Sequence, residues 1–169
     1  GQALAFSADL AQRDEHTYPK ADLWSVSLDG TVSRLTEDEL NWSRPLWAPD
    51  GRSLVATAST GLDVIIRERW DHGSPTDLWL VSADGSTRRN LTEAWDLIPG
   101  SPTWTPDGRH LLFSAGIGGN SHLFRLEVET GSVEQLTAGD RRLGAVSYSA
   151  DFETLAYVDQ DATHPGRVF

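Results

Sequence analysis

The hydrophobic residues of this chain fall in short runs of four to six residues, each bounded by turn-forming residues. Four such runs begin with a leucine that follows a turn, at Leu4, Leu54, Leu111 and Leu155. The runs mix β-branched and aromatic residues with small ones, and no helical periodicity is visible in them. The pattern predicts β-strands along the whole chain.

These strands recur as a module. The leading leucine repeats at intervals of 50, 57 and 44 residues. A second run begins at Asp22, Asp77 and His122, at intervals of 55 and 45 residues, and a Leu-Thr pair ends at Thr36, Thr92 and Thr137, at intervals of 56 and 45. Three anchors that move together at such a period indicate a repeat protein.

Two sets of turns separate the strands within a module. Trp47-Ala-Pro-Asp-Gly-Arg52 and Trp104-Thr-Pro-Asp-Gly-Arg109 share one turn sequence, of which Tyr148–Glu153 is a degenerate copy. Proline fixes φ and glycine tolerates positive φ, so each turn reverses the chain tightly, and we expect its aspartate to accept a hydrogen bond from its own backbone two residues on. A second set contains Asp29-Gly30, Asp84-Gly85 and Thr130-Gly131. One module is therefore four antiparallel strands, which is a propeller blade.

We predict an all-β fold, a β-propeller fragment of about three and a half four-stranded antiparallel blades from a larger ring. The predicted boundaries, all within one propeller domain, are a partial blade with strands two to four (1–40), a blade with a long insertion (41–97), a blade (98–142) and a partial blade (143–169). The chain contains no methionine and begins within a module, so we expect a piece of a larger protein. A closed four-bladed ring would leave the Leu155 strand surplus. Six tryptophans near repeat positions are expected to pack in and between blades: Trp24, Trp42, Trp47, Trp79, Trp95 and Trp104.

The composition of the chain limits the classes of partner that we expect. The chain has 169 residues, a formal charge of −11, no cysteine and no apolar stretch as long as a membrane span, so we expect a soluble, cytoplasmic chain without a membrane or nucleic-acid partner. The five histidines lie at irregular spacing, and we predict neither a metal site nor a cofactor: His16, His72, His110, His122 and His164. No Gly-x-Ser-x-Gly motif occurs, and no catalytic residue is assigned.

Insertions recur at one place, the link between the second and third strands of a module. The first is 9–21 and the second is 59–76, whereas the third, 115–121, is short and glycine-rich. Alternation in Val64–Trp70 predicts an extra strand or a solvated hairpin. The functional alternative is a docking surface for a partner domain or an anionic group, formed by Arg67, Arg69 and Trp70.

The chain resembles the N-terminal propeller of the acylaminoacyl-peptidase branch of the prolyl oligopeptidase family. The general resemblance rests on Trp-x-Pro-Asp-Gly-Arg followed by Asp-Leu-Trp and Leu-Thr, which Tol-type propellers share. Three sharper segments are Thr17–Trp24, Val64–Trp70 and Asp161–Phe169. The last contains the Thr-His-Pro-Gly word that opens a late blade in these peptidases.

The resemblance implies a seven-bladed propeller that caps a C-terminal α/β-hydrolase domain, which is absent from this chain and carries a Ser-Asp-His triad. The propeller would gate the buried site, so that short acylated peptides enter and one N-acylated amino acid is released. Arg67, Arg69 and Trp70 match an Arg-x-Arg-aromatic segment expected near the inter-domain cleft. Glu68 departs from the usually apolar residue of that segment, and Ala150–Phe152 departs from the usual turn.

The alternative is a Tol-type periplasmic propeller that acts as a protein-binding scaffold with no enzyme attached. Homo-oligomerisation is left open, because an open ring exposes the apolar faces of its terminal blades. The sequence following Phe169 separates the two hypotheses. Further blades and a Gly-x-Ser-x-Gly motif indicate the peptidase, and an early stop indicates the scaffold.

Overall fold

The computed structural model describes residues 1–9, 17–161 and 163–169. The chain divides into two compact units, Gly1–Ala94 and Trp95–Phe169. In these described ranges both units consist of β-sheets, to which the first unit adds a short helix, and the predicted all-β propeller fold is confirmed. Within the described ranges no helix is long and apolar enough to cross a bilayer.

The first unit contains two antiparallel sheets. One has three strands in the order β1 (Ala3–Ala8), β2 (Asp22–Ser27) and β3 (Val32–Arg34). The other has four strands in chain order: β4 (Leu40–Trp47), β5 (Ser53–Thr60), β6 (Asp77–Ser82) and β7 (Arg88–Asn90). The helix α1 (Leu62–Arg67) lies in the link between β5 and β6. The four-stranded meander is the blade that the repeat predicts.

The second unit contains one seven-stranded sheet. Its strands are β8 (Thr103–Trp104), β9 (His110–Ile117), β10 (Asn120–Glu127), β11 (Val133–Gln135), β12 (Arg142–Tyr148), β13 (Leu155–Gln160) and β14 (Arg167–Val168). The strands β8 to β11 form one antiparallel meander, and β12 to β14 form the next. Strand β10 also meets β12 in parallel at Ser121 and Arg142, which brings the two meanders of this unit together.

The Pro-Asp-Gly turns have the predicted geometry. Asp50 Oδ1 accepts a hydrogen bond from the backbone N–H of Arg52 at 2.9 Å, and Asp107 Oδ1 accepts one from Arg109 at 3.0 Å. The following glycines have φ of 68° at Gly51 and 67° at Gly108, a region that residues with a Cβ rarely adopt. The prediction that these aspartates cap their own turns is confirmed.

The third turn keeps the geometry without the glycine. Asp151 Oδ1 accepts a hydrogen bond from the backbone N–H of Glu153 at 3.1 Å, and Phe152 occupies the left-handed position at φ 59°. The Phe152 ring stacks on Tyr148 with centroids 5.0 Å apart. The stacked ring offsets part of the strain that a side chain brings to this position.

A side-chain network explains why the second run and the Leu-Thr pair recur together. The Thr92 hydroxyl donates to Asp77 Oδ1 at 3.0 Å and accepts from the backbone N–H of Leu78 at 3.0 Å. Asn90 closes the network, because its amide donates to Asp77 Oδ2 and its carbonyl oxygen accepts from the Thr92 N–H, each at 3.0 Å. Asn90-Leu-Thr92 matches an N-glycosylation acceptor sequence, but the Asn90 amide nitrogen is engaged with Asp77 within the blade.

The other two modules carry variants of the same network. In the first, Thr36 accepts from the Leu23 N–H at 2.9 Å and contacts Asp22 at 3.3 Å. In the third, Thr137 accepts from the Leu123 N–H at 3.0 Å, and the Nδ1 atom of His122 replaces the carboxylate at 3.3 Å. The backbone bond is therefore common to all three modules, whereas the carboxylate partner is not.

Each unit has its own apolar core. In the first unit Trp42 is buried and packs edge-to-face on Trp79, with ring centroids 5.7 Å apart, among buried leucines of β2 and β5. In the second unit Trp95 meets the rings of Phe113 and Phe124 at 5.4 and 5.2 Å. Two of the six predicted packing tryptophans, Trp42 and Trp104, are buried. The other four are half-buried: Trp24, Trp47, Trp79 and Trp95.

Candidate functional site

The insertion between β5 and β6 forms a helix, and the prediction of a strand or hairpin at Val64–Trp70 is wrong. Gly61 is the N-cap residue, and its N–H donates to the carbonyl oxygen of Glu39 at 2.8 Å. A Cβ at this position would lie 2.9 Å from the same oxygen, so the approach requires glycine. Val64 is buried and anchors the helix to the blade.

The C-terminus of α1 is a Schellman motif with arginine in the place that glycine usually takes. The backbone N–H of Arg69 donates to the carbonyl of Ile66 at 3.2 Å, and that of Trp70 donates to Ile65 at 3.0 Å. Arg69 has φ 54°, in the left-handed region. This conformation strains the backbone at Arg69, which is one of the predicted site residues. Strained backbone is frequent at binding sites.

The predicted site residues, Arg67, Arg69 and Trp70, are nearly adjacent in sequence and lie in one exposed segment. The guanidinium of Arg67 contacts Glu39 at 2.8 Å and Glu68 at 3.0 Å. The hydrogen bond to Glu68, followed by that to Glu39, raises the pKa of Arg67 above its usual value. Glu68, the departure from the family pattern, is therefore an ion-pair partner of a site residue.

Arg69 and Trp70 are more open to a partner than Arg67. Arg69 forms no ion pair with any described residue. Trp70 is 43% exposed, and its ring lies 6.1 Å from that of His72. The guanidinium of Arg69 and the indole of Trp70 are both available for contact.

Two apolar side chains of α1 extend this segment. Leu62 and Ile66 are each 47% exposed, and their spacing of four residues places them on the same side of the helix. We call Leu62, Ile66, Arg67, Arg69 and Trp70 the insertion surface. Exposed apolar side chains together with arginine and tryptophan have the composition of protein-binding surfaces.

Sequence reasoning missed the hydrogen-bond network around Asp38, the residue that precedes Glu39 in the link before β4. Asp38 accepts hydrogen bonds from the Trp42 indole at 2.9 Å and the Leu40 N–H at 2.8 Å, and it pairs with Arg88. The Lys20 ammonium donates to the Asp38 carbonyl. The acidic run that follows Thr36 is the signal in the sequence, although nothing in it indicates these partners.

The histidines and the acidic side chains are the potential metal ligands of this chain. No cluster of three or more His, Asp or Glu side chains with metal-binding geometry occurs in the ranges 1–9, 17–161 and 163–169. His122 is buried against Thr137, and His164 contacts Asp161 at 2.9 Å. His16 and most of the first insertion, residues 10–16, lie outside the described residues.

Curated proteins similar to this chain include a peptidase and several TolB proteins. An uncharacterized peptidase, YuxL of Bacillus subtilis, is 29% identical, and the match covers 69% of this chain and 20% of the peptidase. The Tol-Pal system protein TolB of Anaeromyxobacter dehalogenans is 32% identical over 85 residues, which are 50% of this chain and 17% of that protein. The chain thus spans about a fifth of the length of these curated relatives. It matches no protein-family model.

Solved structures agree on the fold. The β-propeller domain of the trilobed protease of Pyrococcus furiosus superimposes with a TM-score of 0.73 at 12% identity, over 99% of this chain and 48% of that one. The acylaminoacyl peptidase of Pyrococcus horikoshii gives 0.67 at 14% identity, over 99% and 24%. TolB of Acinetobacter baumannii gives 0.66 at 21% identity, over 99% and 37%. The chain is a β-propeller fragment similar to the propellers of peptidases and of TolB.

Proposed function

We propose that this chain is the non-catalytic, substrate-gating propeller of a serine exopeptidase that releases N-acylated amino acids from short peptides. The insertion surface carries this proposal, because it offers a protein partner exposed apolar groups beside a strained arginine. The similarity to YuxL and to the peptidase propellers supports it. In this proposal the partner is a C-terminal α/β-hydrolase domain that provides the catalytic triad.

The division of labour follows from physical chemistry. A propeller docked over a hydrolase domain restricts entry by size and keeps bulk water from the reacting groups. Short acylated peptides pass, and folded proteins do not. Docking through the insertion surface buries Ile66 and Trp70, while Arg67 and Arg69 meet carboxylates or carbonyl oxygens of the partner.

The test uses the polypeptide in which this chain continues into its proposed hydrolase domain. Trp70→Ala and Ile66→Ser are expected to loosen docking, so that cleavage of long peptides rises relative to cleavage of short acylated ones. Leu28→Ser is the matched control, since Leu28 is 84% exposed in the same unit but belongs to the turn after β2. Equal selectivity in the wild type and all three variants would contradict a gate that docks through the insertion surface.

The isolated chain gives a second test. We expect no hydrolysis of acylated aminoacyl substrates by this chain alone, and serine-directed inhibition of the longer polypeptide. Robust turnover by the isolated chain would refute the assignment of catalysis to another domain. A cytoplasmic location is part of the proposal and is checked by cell fractionation.

The TolB relatives favour a second candidate, a Tol-type periplasmic scaffold that binds proteins without an attached enzyme. The coding sequence after Phe169 separates the two. Further blades followed by Gly-x-Ser-x-Gly support the peptidase. A stop soon after the ring closes, together with a periplasmic location, supports the scaffold.

A further inference from the structure

A polar cavity of about 660 Å³ opens in the second unit, where three segments of chain meet. These segments are the turn between β9 and β10, the link before β12 and the end of β13. The parallel contact between Ser121 and Arg142 brings them together, and the Ser121 N–H donates to the Arg141 carbonyl at 2.9 Å. The volume lies within the range of about 300–1,000 Å³ that is usual for small-ligand sites.

Two arginines line this cavity with donors that are only partly used. The Nε atom of Arg142 donates to the Gly119 carbonyl at 3.1 Å, which fixes the guanidinium and leaves its Nη groups without an acceptor in the described part of the chain. Arg141 Nη1 lies 3.8 Å from Asp159 Oδ2, well beyond the 2.7–2.9 Å of a strong charge-assisted bond. Both guanidinium groups thus retain donors for an oxyanion.

The acidic groups at the cavity limit the charge of its ligand. Asp161 accepts hydrogen bonds from the backbone N–H groups of Thr163 and His164 at 2.7 and 2.8 Å, so its charge is held by its own turn. Asp140 contacts Asn120 at 3.5 Å and accepts no other hydrogen bond from a described residue. With Asp140 and Asp161 in the lining and Asp159 beside Arg141, a monoanion fits better than a phosphate dianion.

We propose that this cavity binds the carboxylate end of a short peptide. Arg141 and Arg142 hold the carboxylate, because a guanidinium matches its planar geometry. Asp140 accepts a peptide N–H, and the exposed Gly118–Gly119 turn lets the peptide backbone approach closely. This inference assigns a ligand to the propeller itself and goes beyond the gating role.

The experiment is isothermal titration calorimetry on this chain at low salt, which measures binding rather than turnover and is independent of the proposed peptidase activity. The probes are acetyl-trialanine with a free carboxylate, the same peptide as its C-terminal amide, and inorganic phosphate. We expect the carboxylate form to bind at least about tenfold more tightly than the amide, which loses the charged hydrogen bonds. Equal binding of acid and amide, or tighter binding of phosphate, would overturn the proposal.

Variants provide effects of opposite sign. Arg142→Gln is expected to weaken binding of the carboxylate form about tenfold. Asp140→Asn should strengthen it about threefold, because a like charge is removed while the new amide oxygen still accepts the peptide N–H. Arg125→Gln is the matched control, since Arg125 is an exposed arginine of the same unit that pairs with Glu134 at 2.6 Å. The gain in Asp140→Asn keeps the proposal testable if Arg142→Gln disturbs the link before β12. Unchanged affinity in Asp140→Asn and Arg142→Gln would also refute it.

Discussion

The hydrogen-bond network around Thr92 gives the sharpest stability prediction. Thr92 is 1% exposed, and its hydroxyl serves both the Leu78 N–H and the Asp77 carboxylate. Valine has the same shape without the hydroxyl. Thr92→Val therefore leaves the backbone N–H of Leu78 without an acceptor, and Leu78 is fully buried. It also removes one hydrogen-bond donor from the Asp77 carboxylate.

The magnitude follows from these two losses. An unsatisfied buried N–H costs about 1–3 kcal/mol, and the bond to the carboxylate contributes about 1.5 kcal/mol where the group is half-buried. The added methyl group returns about 0.8 kcal/mol. We expect Thr92→Val to lower the free energy of unfolding by about 2–3 kcal/mol, which corresponds to roughly 10–20 °C in Tm for a unit of this size.

Two variants serve as controls, measured with the first by urea unfolding with tryptophan fluorescence and by amide hydrogen exchange of residues 77–92. Thr92→Ser keeps both hydrogen bonds and should cost about 1 kcal/mol for the lost methyl group. Thr137→Val removes the same backbone bond where His122 replaces the carboxylate, so it should cost about 1–1.5 kcal/mol less than Thr92→Val. A Thr92→Val protein within about 0.5 kcal/mol of wild type, or no more destabilised than Thr92→Ser, would refute the reasoning.

Three further predictions follow from single residues. Arg69→Gly should raise the free energy of unfolding by about 0.5–1 kcal/mol by relieving the left-handed strain, yet lower gating selectivity, as measured by urea midpoint and by the long-to-short cleavage ratio. Gly61→Ala should speed hydrogen exchange across α1, because its Cβ meets the Glu39 carbonyl, whereas unchanged exchange would contradict that contact. The Ser82 hydroxyl, with lesser help from Ser86, lowers the pKa of Asp84 from 3.8 to about 2, so its stabilising effect is present above pH 4 and is lost as the pH falls towards 2. Urea midpoints of Asp84→Asn and wild type should therefore converge over that range, and a constant difference would count against the shift.

The repeat is the part of this protein that the sequence determines by itself. The spacing of the leading leucines predicts the strands, and the Pro-Asp-Gly turns predict the reversals that Asp50 and Asp107 cap. Turn geometry and strand alternation depend on a few neighbouring residues, so they can be read locally. The sequence also marks Asp77 and Thr92 as anchors.

The reason why Asp77 and Thr92 recur together is visible only in the folded blade. Their side chains form a hydrogen bond although the two residues are 15 positions apart in sequence. The helix α1 is a second case. Its alternation favours a strand, and six residues are too few to show a helical period, whereas the approach of Gly61 to Glu39 and the burial of Val64 determine the outcome.

The sites depend most on tertiary structure. Sequence reasoning selected Arg67, Arg69 and Trp70 from one contiguous segment, which adjacency alone brings together. The cavity that holds Arg142 collects residues near positions 119, 141 and 160, and no local pattern connects them. Turn chemistry can be read along the chain, because it depends on neighbouring residues. The contacts that form the cavity exist only once β10 lies against β12 at Ser121 and Arg142, and those residues are 21 positions apart in sequence.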